Sequence, residues 1–180
     1  EVAVLSLGGI VINQSVRVAG DALDEAIISM LRQNYTLAIG ESTAEEIKIA
    51  IGSVIPLEQQ LKMDVKRRDL VDGLPKVVSI RSEEVREAIE PIVMQIEDTI
   101  RSTIERTPPE LVRDIVDQGI VLSGGTANLR GLNIRFADAL NVPVHIAGEP
   151  VFSLALGLGK ILEMPQDKNR LSITVEKQGV

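Results

Sequence analysis

Three short stretches carry residue types that could hold a ligand. In "IVLSGGTANL" an aliphatic run ends on two adjacent glycines, Gly124 and Gly125. Lacking Cβ, they either make only a tight turn into a helix or bare the main chain so that a purine or phosphate can approach it. In open α/β sheets ligands sit beyond the carboxyl ends of strands, which is where this pair falls. In "GESTAEEIKIAIGS", Lys48 and Glu45 offer a cation and a carboxylate near one helix face. Carboxylates commonly read ribose hydroxyls, and ordinary solvated helix charges are the alternative. In "GDALDEA", Asp21 has a structural use as a helix cap.

Other chemistries are poorly provided for. Without cysteine there are no disulfides or thiolate metal sites, which fits a reducing compartment. The single histidine, His145, alternates with Val144 and Ile146 in a short strand and has no announced partners for a metal site or a Ser-His-Asp arrangement. A core or edge position suits it better. "KRRD" at 66–69 reads as the wet face of a hairpin. A net charge of -7 argues against a nucleic-acid partner. No run approaches the roughly 18 to 20 apolar residues of a membrane span.

The elements that must position these residues follow from periodicity. The chain is 44% hydrophobic but only 2% aromatic, so its core is aliphatic, the habit of helix-covered sheets. "EVAVLSLGGIVINQ" predicts a hairpin turning at Gly8 and Gly9. Leu23, Ala26, Ile27, Met30 and Leu31 predict a helix capped by Asp21. A second helix opens with Ser42 and Glu45 in capping-box register and ends at Gly52. Leu61 to Ile80 reads as a hairpin turning through Asp72, Gly73 and Pro75. Ser82 caps a long helix with a stripe from Val85 to Ile104, kinked at Pro91. After Pro108 and Pro109 strands alternate with helices, and "TANLRGLNIRFADAL" reads as one helix behind the glycine pair. That alternation implies parallel pairing.

This organisation predicts an α/β layered domain over 1–19 and 82–165, interrupted by a small α+β insertion over 20–81, with a flexible tail over 166–180. A ligand is expected in the cleft between the two pieces. Because the chain opens on Glu1 inside an apolar alternation, it is expected to be a fragment or a processed chain.

Taken together, "SVRVAGDALDEAI", "GESTAEEIKIAIGS", "KRRDLVDGLPK", "TPPELVRDIVDQGIVLSGG" and "GLGKILEM" resemble the bacterial actin-like MreB family, in its order and spacing. The resemblance covers residues 1 to about 164. It implies an actin and ribonuclease-H-like fold with a mixed sheet, in which 1–19 and 82–165 correspond to subdomain IIA and 20–81 to subdomain IIB. It also implies that the chain is the second half of such a protein. The loops for the β and γ phosphates, the catalytic acid and the membrane-inserting element would belong to the first half.

By resemblance the ligand is ATP or ADP, with magnesium in the full-length protein. The stretch Glu45, Glu46, Ile47 and Lys48 would hold ribose and one face of adenine. Gly124, Gly125, Thr126 and Ala127 would form the other wall, and Gly20 joins the set. Three positions depart from the family: Thr126 stands where a third glycine is usual, Glu46 where an arginine is usual, and Ala19 where a glycine is usual. The carboxylate reverses a charge near a polyanion, and Thr126 narrows the wall. The family further implies filaments organising cell-wall synthesis at the cytoplasmic face of the membrane. Self-association, the membrane adaptor RodZ and the wall-elongation machinery would be the partners, with membrane contact through the first half. ATPase activity is expected of the full-length protein and not of this chain alone. The competing expectations are half of a sugar- or acetate-kinase-like phosphotransferase and a non-catalytic interaction module.

Overall fold

The first aliphatic run folds as the hairpin its alternation predicts, but the turn falls one residue early. The computed structural model describes residues 1–163. The tail expected over 166–180 therefore lies outside the described residues, as do the last positions of the 82–165 segment. Strand β1, Val2–Ser6, pairs antiparallel with β2, Gly9–Gln14. Leu7 and Gly8 make the turn, with φ of 50° and 78°, while Gly9 already pairs with Ser6. Positive φ at both positions is the type I′ pattern, whose backbone twist matches the flanking strands. Leu7 is fully exposed, so its side chain contributes no packing to offset the strain. Leu7→Asn is expected to stabilise the chain by roughly 0.5–1 kcal/mol, read as a rise in the urea midpoint with unchanged slope.

Helix α1 spans Gly20–Tyr35 and α2 spans Glu41–Ile51. Both begin earlier than the cap signals suggest. Ala19 and Gly40 are the N-cap residues, and neither helix has a side-chain cap bond. Asp21 is thus a first-turn acid favoured by the helix dipole, and Ser42 and Glu45 form no capping box. Gly52 does end α2, its N–H donating to the Lys48 carbonyl at 2.9 Å. A Cβ there would stand 2.3 Å from that same oxygen, so a larger residue would displace the helix end.

A two-residue strand, β3 (Leu37–Ala38), is too short for periodicity to mark. It pairs with β4 (Lys62–Asp69), which forms the predicted hairpin with β5 (Pro75–Arg81). Buried Asp69 organises the hairpin tip. One oxygen accepts the Val71 N–H at 2.7 Å and the other pairs with Lys76 at 2.8 Å. Lys66, Arg67 and Arg68 are exposed, as a wet hairpin face requires, and Arg67 also reaches back to Thr43 Oγ1 of α2 at 2.8 Å.

Helix α3 runs Ser82–Glu105, unbroken through Pro91. Ser82 is its first residue and not its cap. Its hydroxyl accepts the Leu61 N–H at 3.2 Å, and the Glu84 carboxylate accepts the Arg81 N–H at 3.0 Å. Then come α4 (Pro109–Gln118), β6 (Ile120–Leu122), α5 (Leu132–Leu140), β7 (Val144–Ile146) and α6 (Ser153–Glu163). Strands β6 and β7 pair in parallel, as the alternation predicts. His145 is exposed on β7.

The fold is mixed α/β, and its antiparallel and parallel pairs form separate ladders among the described residues. Both β1 and β6 line a cavity of about 420 Å³ over α3 and α4. The core is mainly aliphatic, and one cluster joins Leu23, Ile47 and Ile80 to Val85, Ile89 and the aromatic Phe136. Both expected segments therefore share a core. Helix α6 is different: none of its residues is buried, and Leu154 and Leu162 are largely exposed. Among the described residues no helix is long and apolar enough to cross a membrane.

Ion pairs anchor the layers and set an acid response. Arg135 of α5 grips Glu90 of α3 with two bonds, 2.6 and 2.8 Å, and also reaches Glu97. The Arg135 guanidinium holds the Glu90 carboxyl below the usual carboxylate range, and Lys76 does the same for Asp69. Depressed folded-state values make these contributions present above the unfolded carboxylate range, near pH 4, and lost as pH falls through the folded values. Urea titrations should show stability falling below about pH 4.5. Arg135→Met should flatten that fall.

Candidate nucleotide cleft

The ends of three elements meet at one place. Helix α1 starts there at Gly20, α2 brings Lys48 from its last turn, and the chain leaving β6 passes through Gly124 into a single 3-10 turn, Gly125–Asn128. A Cβ built on Gly20 would stand 3.5 Å from Thr126 Oγ1 and 3.6 Å from Lys48 Nζ, so all three converge within ordinary contact of one point. Lys48, Gly125 and Thr126 border one cavity of about 80 Å³, together with Leu23, Asn128 and Arg130. On the other side of the same backbone, Gly124, Gly125 and Thr126 face Val18 and Ala19 across a cavity of about 360 Å³. The larger space is within the range of small-molecule sites, and the smaller one is below it.

The glycine pair does both jobs that its type allows. Gly124 has φ 89°, a conformation that favours glycine, and its N–H donates to Pro150 O at 2.7 Å. Around both glycines an added Cβ would meet nothing within 4 Å, so the backbone here lies open. The expected long helix behind them is divided. The 3-10 turn comes first, Leu129, Arg130 and Gly131 interrupt, and α5 begins only at Leu132. The amino terminus of α5 therefore does not directly follow the pair, which removes the anion-binding dipole expected from that helix. What remains is a neutral main-chain wall.

Lys48 is held rather than free. Its Nζ donates to Asp24 Oδ2 at 2.8 Å and to Gly20 O at 3.3 Å, and the two side chains are only 13% and 10% exposed. Glu45 and Glu46 lie on the exposed face of α2 and line none of the described cavities. Ile47 is completely buried in the aliphatic core, so its side chain cannot form a ligand wall, contrary to the sequence expectation. Helical spacing explains this: Thr43, Ala44, Ile47 and Ile51 share the inward face, leaving Lys48 at its edge. Ala127 is also buried and supports the turn from beneath.

Two further residues shape the cleft. Asp24 is one; the signal for it is a charged residue on the apolar stripe of α1, three residues before Ile27 and seven before Leu31. The other is Arg130. Its guanidinium donates to the carbonyls of Ile49 at 2.9 Å and Gly52 at 3.2 Å, and its own carbonyl accepts the Val54 N–H at 3.0 Å. The end of α2 is thereby tied to the chain that forms the opposite wall. No local pattern announces a contact 78 residues apart. Among the described residues there is no cluster of metal-ligating side chains.

The family description "MreB/Mbl protein" matches residues 1–170. The chain belongs to the MreB/Mbl family. The cell shape-determining protein Mbl of Bacillus cereus is 42% identical over 163 residues, which are 91% of this chain and 49% of that protein. The cell shape-determining protein MreB of Escherichia coli is 43% identical over 164 residues, 91% of this chain and 47% of its own length. The crystal structure of MreB5 of Spiroplasma citri bound to ADP matches with a TM-score of 0.88 at 34% identity, covering 94% of this chain and 51% of that one. The same MreB5 bound to AMPPNP matches with a TM-score of 0.87. The MamK double helical filament, at 21% identity and a TM-score of 0.67, shares the actin-like fold. The chain thus spans about half the length of the MreB and Mbl relatives it matches.

Proposed function

We propose that this chain is the nucleotide-cleft half of an ATP-dependent actin-like filament protein that maintains bacterial cell shape by organising cell-wall synthesis. The observation that carries the proposal is the meeting of Gly20, Lys48 and Thr126 beside the open backbone of Gly124 and Gly125. An adenosine would lie along residues 124–127, with Lys48 at its ribose. MreB5, alike in fold, is a protein crystallised with ADP and with AMPPNP, which supports the same class of ligand here.

The cleft as described has a neutral glycine wall and a lysine already paired to a carboxylate. It suits a nucleoside better than a triphosphate. Phosphates and magnesium are therefore assigned to loops of the first half of the full-length protein, and this chain alone is expected to hydrolyse nothing. Nucleotide bridging two lobes would bias their angle, and filament assembly would respond to that angle. Self-association, RodZ and the wall-elongation machinery complete the proposal, at the cytoplasmic face of the membrane and with membrane contact through the first half.

Sedimentation and electron microscopy of the full-length protein with ATP test it. Filaments that pellet with ATP are expected. A soluble monomer that phosphorylates a small acceptor would overturn the filament reading in favour of a phosphotransferase activity.

A further inference from the structure

Asp24 is the one buried side chain in this region whose chemistry the fold does not use up. Its Oδ2 accepts a bond from Lys48 at 2.8 Å, while its Oδ1, equally buried, has no hydrogen-bond partner among the described residues. Buried carboxylates with an idle oxygen are uncommon, since leaving such a group unsatisfied costs stability. Replacing Asp24 alone would leave the Lys48 ammonium largely buried without its carboxylate partner, which is costly.

The partner explains the retention. An ammonium has three N–H donors. On Lys48 one is taken by Asp24 Oδ2 and one by the Gly20 carbonyl, and both acceptors belong to α1. Two fixed acceptors restrain the rotor and leave one N–H without an acceptor among the described residues, on a side chain that borders the cavity shared with Gly125 and Thr126. The carboxylate also cancels the lysine charge at contact distance. What faces the ligand is an oriented donor without net charge.

We propose that Asp24 is a positioning residue that sets what this cleft recognises: it makes Lys48 a fixed, charge-neutralised donor suited to the hydroxyls of a nucleoside rather than to its phosphates. The proposal rests on the nucleotide cleft assigned above. It implies that Lys48 adds little to the affinity for ADP over adenosine and little to its salt dependence, since its charge is already compensated by Asp24.

Calorimetry of the 180-residue chain with adenosine and with ADP, at low and high salt, tests this in the wild type, in Asp24→Asn and in the double variant Asp24→Asn with Lys48→Met. Removing the carboxylate should uncover the ammonium. The ratio of ADP to adenosine affinity should then rise by about fivefold, a Coulombic effect of one charge a few ångströms away, and ADP binding should become more salt-sensitive than in the wild type. The double variant should lose both changes. A loss in Asp24→Asn that is equal for both ligands, with no new salt dependence, would mean that Asp24 only packs. If Asp24→Asn does not fold, Asp24→Ser serves in its place, because it leaves room for water.

Failure of the nucleotide assignment is read separately. If the wild type binds neither ligand, the side-chain ammonium resonance of Lys48 decides the positioning role without any ligand. A slowly exchanging signal that disappears in Asp24→Asn supports it. A signal that is absent in the wild type, or unchanged in the variant, overturns it.

Discussion

Phe136→Ala is expected to destabilise the chain by about 3–5 kcal/mol, the largest loss from any single side chain here. Phe136 is 1% exposed on α5, and it borders the larger cavity beneath Gly124 and Gly125. The chain has two phenylalanines, and the other, Phe152, is exposed; of the aromatic rings Phe136 is the fully buried one, Tyr35 being only partly buried against the core. Truncation would merge a new void with an existing one, and the aliphatic neighbours Leu132 and Val144 sit on rigid elements that cannot collapse into it. Thermal melting should show a fall of roughly 10 °C for a domain of this size. A fall of one or two degrees would mean that the core closes over the site.

Gly131→Ala carries the second large effect, roughly 2–5 kcal/mol, and it bears on the cleft directly. Gly131 has φ 80°, where a side chain is strained, and an added Cβ would stand 2.4 Å from Ile55 Cγ1. Neither problem can be relieved alone. Moving Gly131 moves Arg130, whose guanidinium holds the end of α2 and whose carbonyl accepts from Val54. Lys48 lies in the last turn of that same helix. Calorimetry should therefore show weakened adenosine binding by Gly131→Ala at temperatures where circular dichroism shows it still folded. Unchanged affinity in the folded variant would mean that the Arg130 tie does not hold the two walls.

Much of this architecture was legible in the sequence because burial imposes periodicity. The stripe from Val85 to Ile104, the alternation through Met63 and Val65, and the parallel β6 and β7 all follow from which side chains must face inward. Errors cluster where a single backbone torsion decides. Leu7 adopts positive φ in spite of its type, so the turn slipped from Gly8 and Gly9 to Leu7 and Gly8. Gly131 does the same between the 3-10 turn and α5, and a glycine within "NLRGLN" was the available sign that the helix is divided.

The cleft was legible in part. Lys48, Gly20, Gly125 and Thr126 do come together, whereas Ile47 turns into the core and Glu45 and Glu46 turn outward, because consecutive helical residues cannot all face one ligand. Arg130 was out of reach. Its bonds join residues far apart in sequence, and nothing in "LRGL" specifies a partner.

The proposed function requires that an adenosine nucleotide enter between Lys48 and the glycine wall. Titrating the isotope-labelled chain with ADP and following backbone amide resonances by NMR tests this directly. Shifts concentrated at Gly20, Lys48, Gly125, Thr126 and Ala127, saturating with ligand, are the predicted result. Saturating shifts confined to other surfaces, or none at any ADP concentration up to the millimolar range, would contradict it.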